Sequence, residues 1–134
     1  MIKPFVHQVR VRYAETDQLG IAYYAHYLVW FEVARVEYLR RLGHAYRDLE
    51  KQGFKLPVVS CSIRYFAPAR YDDLLNVQTT IERIGRSSVK FLYTVLHHPT
   101  QLKLAQGETV LACVNDRLEP VPFPAFLKEA LAGG

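Results

Sequence analysis

The sequence has few of the features that mark exported, metal-stabilised or membrane-spanning proteins. Of its 134 residues only two are cysteines, and neither stands in a CxxC pair or in a cluster with zinc-ligand spacing. We therefore expect Cys61 and Cys113 to be buried, reduced thiols, and we expect no metal site. Residues 1–7 contain neither a continuous apolar core nor a small-residue cleavage site, which predicts a cytoplasmic protein without a secretory signal.

Long hydrophobic runs and clustered positive charges are also scarce. The longest apolar stretch, residues 21–31, is interrupted by His26 and is shorter than the roughly 20 residues that a membrane span requires, so we expect no span. The net charge is +4, but the basic residues are scattered, with Arg40 and Arg41 as an isolated adjacent pair. Nucleic acid is therefore the weakest partner hypothesis, because both a basic stripe and an aromatic stacking platform are missing.

The remaining composition is that of an ordinary globular chain. Half of the residues are hydrophobic and 22% are charged. No repeat, low-complexity tract or linker divides the chain. We expect a single domain over residues 1–134, since chains of this size can bury an adequate core without disulfides.

Hydrophobic periodicity predicts a strand, a long helix and then four strands. Residues 9–13 alternate between apolar and basic, which indicates a half-buried strand. Apolar residues at three- and four-residue steps over 27–42 predict a helix of roughly eighteen residues that is capped at Gly43. The other expected elements are a short helix over 44–52, strands over 55–66, 74–84, 89–96 and 102–118 with a bulge or turn at Gly107, and a terminal helix from about Ala125.

This element order predicts an α+β architecture. Short connections make the last strands antiparallel neighbours, and one long helix must bury a whole face against them. We therefore expect a curved antiparallel sheet wrapped around one long helix, a layout that resembles the hotdog fold.

The segment over residues 13–27 carries the densest chemistry. Asp17 follows a strand, Gly20 permits a turn, and a helix begins soon afterwards. The N-terminus of a helix presents unpaired N–H groups with a partial positive charge. Together with a carboxylate, these donors supply the two parts of a site that attacks a carbonyl group. The alternative for Asp17 is an ordinary turn acid, and the spacing alone leaves both interpretations open.

Two motifs resemble signatures of the 4-hydroxybenzoyl-CoA thioesterase family. Residues 15–27 (ETDQLGIAYYAHY) resemble its active-site stretch, and residues 65–73 (YFAPARYDD) resemble its Pro-Ala-Arg turn. The likeness covers nearly the whole chain and points to the YbgC-like branch of small acyl-CoA thioesterases. It implies a hotdog fold and hydrolysis of an acyl-CoA thioester. No metal or organic cofactor is implied, since coenzyme A is part of the substrate.

The resemblance also implies roles for single residues. The family's catalytic acid falls on Asp17, as nucleophile or general base, and the backbone N–H that polarises the thioester carbonyl falls on Tyr24. Many members of the YbgC-like branch have histidine where this chain has Tyr24. The acyl group is expected to lie along Tyr27, Val58 and Val59.

Coenzyme A also needs cations and backbone donors for its phosphates. The turn at residues 85–88 matches the region where the family holds the nucleotide. The expected contacts are Arg86, Ser87, Ser88 and Lys90, with Arg64 and Arg70 as weaker candidates. Members of this family place active sites across a dimer interface, so we expect a homodimer or homotetramer.

Several acids and one histidine have alternative interpretations. Glu32 matches an acidic position that reaches the substrate in the benzoyl branch, or it pairs with Arg35 on the helix surface. His26 is either a proton shuttle or a surface residue. A hotdog hydratase would need His26 together with Glu32, but six residues place them about 120° apart around a helix, which argues against it unless the partner comes from another subunit. We expect Asp72 and Asp73 to cap their turn.

A non-catalytic acyl-CoA sensor or binding module is the main alternative to an enzyme. Such a module would use the same pocket, but it has no need of Asp17 beside a thioester carbonyl, and burying a carboxylate costs free energy.

Overall fold

Residues 4–133, which the computed structural model describes, form one five-stranded sheet and three α-helices. In chain order the elements are β1 (Phe5–Arg10), a short 3-10 helix (Tyr13–Glu15), α1 (His26–Arg41), α2 (Tyr46–Lys51), β2 (Val58–Tyr65), β3 (Leu74–Ile84), β4 (Ser88–His97), β5 (Lys103–Ala112) and α3 (Ala125–Ala132). Residues 1–3 and 134 of the predicted domain, and so part of the segment considered for a secretory signal, lie outside the described residues.

The strands pair antiparallel in the order β1-β3-β4-β5-β2. The predicted neighbours β3, β4 and β5 are confirmed. The expectation of successive neighbours is wrong for β2 and β3, because β2 pairs with β5 and residues 66–73 carry the chain past β5 and β4 to β3. As a result β2 forms one edge of the sheet, and β1 forms the other.

Helix α1 packs closely on the sheet at Gly107. The Phe31 ring of α1 stacks on Tyr93 of β4 with 4.2 Å between ring centroids. A Cβ atom at Gly107 would lie 2.6 Å from Phe31 Cε2 and 2.8 Å from the carbonyl oxygen of Ser62. The predicted bulge or turn at Gly107 is wrong, since this residue pairs in register with Ile63 and Tyr93. Glycine is needed here because the helix and the sheet approach each other closely.

Both ends of α1 and of β3 follow from local sequence. Gly43, with φ of +95°, donates its N–H to the Arg40 carbonyl and ends α1 as predicted. The strand expected over 74–84 is confirmed as β3, and the terminal helix is confirmed as α3.

The first and last strands differ from the prediction at their ends. β1 stops at Arg10 and not at residue 13, because the Val11 N–H bonds to the Asp73 carbonyl and the chain then turns into the 3-10 helix. β5 stops at Ala112, well before residue 118, because the following residues form a turn in which Leu118 has φ of +62°.

The two cysteines have different environments. Cys113 is buried as predicted, and burial raises the pKa of its thiol. Cys61 is exposed, which contradicts the prediction, because it lies on the edge strand β2, where nearly every residue is exposed. Within residues 4–133, no helix has both the length and the apolar character needed to cross a membrane.

Candidate active site

The loop that contains Asp17 is held together by its own backbone. The Asp17 N–H donates to the Ile21 carbonyl at 3.0 Å, and the Tyr23 N–H donates to the Glu15 carbonyl at 2.8 Å. Gly20, with φ of +79°, allows the chain to reverse between these two bonds. The loop therefore presents Asp17 from a hydrogen-bonded frame.

The Asp17 carboxylate has one oxygen in the turn. Its Oδ1 accepts the Leu19 N–H at 2.8 Å. No other hydrogen bond from the described part of the chain reaches this side chain. The interpretation of Asp17 as a turn acid therefore accounts for Oδ1 alone, and the second oxygen is available to a ligand.

Asp17, Tyr24 and Tyr27 line the same cavity, of about 610 Å³. Most of its other walls are apolar or aromatic, with Tyr65 and Phe66 from the end of β2 and the segment after it. The structure therefore brings together three of the residues singled out in the sequence. The cavity that they share is mainly apolar, and the Asp17 carboxylate lies at its side.

The backbone that leads into α1 lies beside this cavity, since Tyr23, Tyr24 and Tyr27 line it. Ala25 is the N-cap of the helix, and within residues 4–133 no acceptor is bonded to the N–H of Tyr24 or Ala25. The Tyr65 hydroxyl donates to the Tyr24 carbonyl at 2.8 Å, so β2 fixes the backbone next to these donors. Such N–H groups carry the partial positive charge of the helix end.

Three phenols at the cavity, those of Tyr23, Tyr27 and Tyr65, have raised pKa values and remain neutral at physiological pH. The pKa of Tyr23 is raised by a hydrogen bond with the Tyr24 hydroxyl and, to a smaller degree, by the Asp17 carboxylate. Burial raises the pKa of Tyr27 and of Tyr65. These phenols can therefore act in the site only as neutral hydrogen-bonding groups.

Glu32 and Val58 lie away from Asp17. They line a separate cavity of about 300 Å³ between α1 and β2, together with Arg35 and Cys61. No ion pair joins Glu32 to Arg35 among the described residues. Val59 is 60% exposed on the sheet edge.

His26 and Glu32 do not form the pair that a hydratase would need. The His26 ring lies edge-to-face against Tyr23, with 6.2 Å between centroids. Glu32 lines the other cavity, on a different face of α1. The geometry therefore does not favour the hydratase alternative.

The expected phosphate contacts are at the far end of the sheet. Arg86, Ser87 and Ser88 lie at the turn between β3 and β4, and Ser88 pairs with Ala112 beside the start of β2. The Asp17 cavity lies at the other end of β2, at Tyr65. The length of β2 spans about 23 Å at the usual rise of a strand. One chain alone does not bring these groups together.

Of the cationic candidates, Lys90 has its charged group paired within the chain. Lys90 Nζ lies 2.9 Å from Glu82 Oε2 and 3.1 Å from Glu108 Oε2, and hydrogen bonds to these carboxylates raise its pKa. The backbone N–H of Arg70 donates to Asp73 Oδ2 at 2.9 Å, so Asp73 caps its turn as predicted. Arg86 is exposed.

Arg64 and Asp72 complete the placement of the predicted residues. Arg64 lines a groove of about 360 Å³ along β2 with Glu108. Asp72 adopts φ of +68° in the turn, and its carbonyl accepts a hydrogen bond from Arg10.

Nothing in the sequence pattern indicated that Tyr65 and Phe66 lie beside Asp17. They open the second motif, some forty residues after the first, and only the position of β2 beside the start of α1 brings them to the cavity. The buried carboxylate of Glu15 was missed as well, although it stands two residues before Asp17.

Comparison with known proteins gives consistent matches over nearly the whole chain. A profile of the thioesterase-like superfamily matches residues 11–131. The acyl-CoA thioesterase YbgC of Haemophilus influenzae is 36% identical, over 94% of this chain and 93% of that protein. The 4-hydroxybenzoyl-CoA thioesterase of a Pseudomonas species is 27% identical, over 93% of this chain and 95% of that protein.

The fold is similar to solved thioesterase structures. The crystal structure of the DHNA-CoA thioesterase from Staphylococcus aureus matches with a TM-score of 0.92 and 30% identity, over 97% of this chain and 89% of that one. The likeness confirms the predicted hotdog fold.

Proposed function

Because this chain belongs to the thioesterase-like superfamily, we propose that it hydrolyses acyl-CoA thioesters to a carboxylic acid and free coenzyme A. The observation that carries the proposal is the shared cavity of Asp17 and the start of α1. A carboxylate oxygen and unpaired backbone N–H groups are what attack on a thioester carbonyl requires.

In the proposed mechanism, the Tyr24 N–H donates to the thioester carbonyl oxygen. The negative charge that develops on this oxygen is stabilised by the donor and by the partial positive charge of the helix end. The acyl group occupies the apolar cavity beside Tyr27. Because the donor belongs to the main chain, it is held in place before the substrate arrives.

Asp17 acts by one of two routes. As a general base it takes a proton from water while the water oxygen bonds to the carbonyl carbon. It then returns this proton to the sulfur as the C–S bond breaks, which releases the thiol and restores the carboxylate. As a nucleophile its carboxylate oxygen bonds to the carbon and expels the thiolate, and water then hydrolyses the mixed anhydride and restores Asp17. Neither route uses a metal or organic cofactor, so dialysis against EDTA should leave activity unchanged.

We further propose that a second copy of the chain completes the site. The edge strand β2 is exposed along nearly its whole length and carries Val58, Val59 and Cys61. An exposed edge of this kind can pair with another strand. Antiparallel pairing of two copies of β2 would bring the Arg86 turn of one copy toward the Asp17 cavity of the other. This arrangement supports a homodimer, alone or within a homotetramer.

Thiol release from a panel of acyl-CoAs tests the proposed activity. Short, long and aromatic acyl groups are supplied to the purified protein, and free thiol is read with a thiol-reactive dye. Release identifies a thioesterase and its acyl preference. Failure to cleave any member, in protein that binds coenzyme A, would instead favour the acyl-CoA binding module.

A further inference from the structure

Glu15 is a buried carboxylate with both oxygens partnered. Its side chain lies in the interior, with the residue 4% exposed. Oε1 accepts the Arg12 N–H at 2.8 Å, and Oε2 accepts the indole N–H of Trp30 at 3.0 Å. Burying a carboxylate is costly unless its oxygens are partnered, so these two bonds, with the Arg12 Nε 3.6 Å from Oε1, fix where the side chain can lie.

The bond to Trp30 joins the Asp17 loop to α1. Trp30 lies in the second turn of α1, is 3% exposed, and packs edge-to-face on Tyr27 with 4.8 Å between ring centroids. Its indole is therefore held in place by the core. The backbone of Glu15 makes a second connection, since its carbonyl accepts the Tyr23 N–H just before the helix.

We propose that the Glu15–Trp30 hydrogen bond positions Asp17 relative to the start of α1. Asp17 is two residues from Glu15, and the Tyr24 N–H follows the residue that Glu15 binds through its carbonyl. The carboxylate and the donor proposed to act on one thioester are thus held to the same helix. Glu15 and Trp30 do not line the cavity. They are positioning residues, and their role rests on the proposed function.

Two conservative variants break this connection. Trp30→Phe removes the indole donor and keeps an aromatic ring, whereas Glu15→Gln keeps one carbonyl acceptor and loses the charge. We expect each to lower kcat about tenfold or more, because a misplacement of about 1 Å can cost about 10²-fold. We expect KM to change by less than about twofold, because the walls of the cavity are intact.

A double-mutant cycle and a control separate positioning from general destabilisation. If the bond carries the effect, the Trp30→Phe, Glu15→Gln double variant should be no slower than the slower single variant. Tyr46→Phe is the control, because it likewise removes one side-chain hydrogen bond, which the Tyr46 hydroxyl accepts from the Leu56 N–H at 2.8 Å. Additive losses, or an equal loss of kcat in Tyr46→Phe, would overturn the proposal.

Amide hydrogen exchange tests the same bond without catalysis. The amides of Asp17 and Tyr23 should exchange at least about tenfold faster in Glu15→Gln, since the loop opens more often. The Asn115 amide, bonded to the Glu119 carbonyl at 3.0 Å in another loop, should be unchanged. Unchanged exchange at Asp17 and Tyr23 contradicts the positioning role. If the wild-type amides exchange normally but the wild-type protein hydrolyses no acyl-CoA, only the proposed function is contradicted.

Discussion

At the level of single residues, Tyr24 and Asp17 offer different groups to a substrate: Asp17 offers its side chain, whereas Tyr24 offers its main-chain N–H. The phenol of Tyr24 is largely exposed and hydrogen-bonds with Tyr23. Tyr24→Phe should therefore change kcat/KM far less than the loss of about 10²–10³-fold that follows removal of an oxyanion donor. Steady-state kinetics on the preferred acyl-CoA measure this. A loss of that size in Tyr24→Phe would assign the role to the hydroxyl instead.

The residues of the site were predictable where one local segment contains them. Asp17, Tyr24 and Tyr27 lie within a single turn and the start of one helix, so they are neighbours however the strands pair. The resemblance to the thioesterase family, and not their spacing, singled them out. Tyr65 joins them through the hydrogen bond from its hydroxyl to the Tyr24 carbonyl, 41 residues earlier in the sequence. Its position depends on how β2 pairs. Sequence patterns do not fix such pairings.

At the level of helices and strands, the contact between α1 and the sheet depends on the missing side chain of Gly107. Gly107→Ala would push a methyl group against Phe31 and against the Ser62 carbonyl. We expect a loss of about 1–3 kcal/mol in the free energy of unfolding, as for overpacking elsewhere in protein cores. Urea unfolding followed by circular dichroism measures it.

Gly133→Ala is the matched control for this change. A Cβ atom there would be 3.5 Å from the Glu129 carbonyl oxygen, an ordinary contact. Equal stability of the Gly107 and Gly133 variants would contradict the close approach of helix and sheet.

The ends of the helices and strands show which parts of the fold are determined by local sequence. The C-terminal end of α1 and the end of β3 were predictable, because a left-handed glycine follows α1 and a turn at Gly85 follows β3. The exposure of Cys61 was not, because an apolar strand has the same pattern at the centre of a sheet and at its edge. The edge position of β2 follows from the long crossing of residues 66–73.

At the level of the whole molecule, the proposed site combines the Asp17 cavity of one copy with the Arg86 turn of another. If Arg86 binds a phosphate of coenzyme A, Arg86→Ala should raise KM for acyl-CoA about tenfold, the scale of one hydrogen bond to a charged group. KM for a truncated pantetheine thioester should not change. Arg47→Ala, at another exposed arginine, is the control. Equal effects on both substrates would remove Arg86 from the phosphate site.

Mixing two defective variants tests whether the site is shared. In a heterodimer of Asp17→Asn and Arg86→Ala, one site would combine an intact Asp17 from one copy with an intact Arg86 from the other. Random pairing should then restore about a quarter of the wild-type sites in a twofold-symmetric dimer. Co-refolded mixtures, assayed below KM, measure this. Activity equal only to the sum of the separate variants would place both residues of a site in one chain.

The most direct test of the account compares Asp17→Asn with Asp116→Asn in the thiol-release assay. Both changes remove one carboxylate charge, but Asp116 is an exposed acid that forms an ion pair with Lys55. Asp17→Asn should keep its fold and lose at least about 10²-fold in kcat, the scale of acid–base and electrostatic catalysis, while Asp116→Asn keeps wild-type activity. Wild-type turnover in folded Asp17→Asn would contradict the catalytic role of this residue.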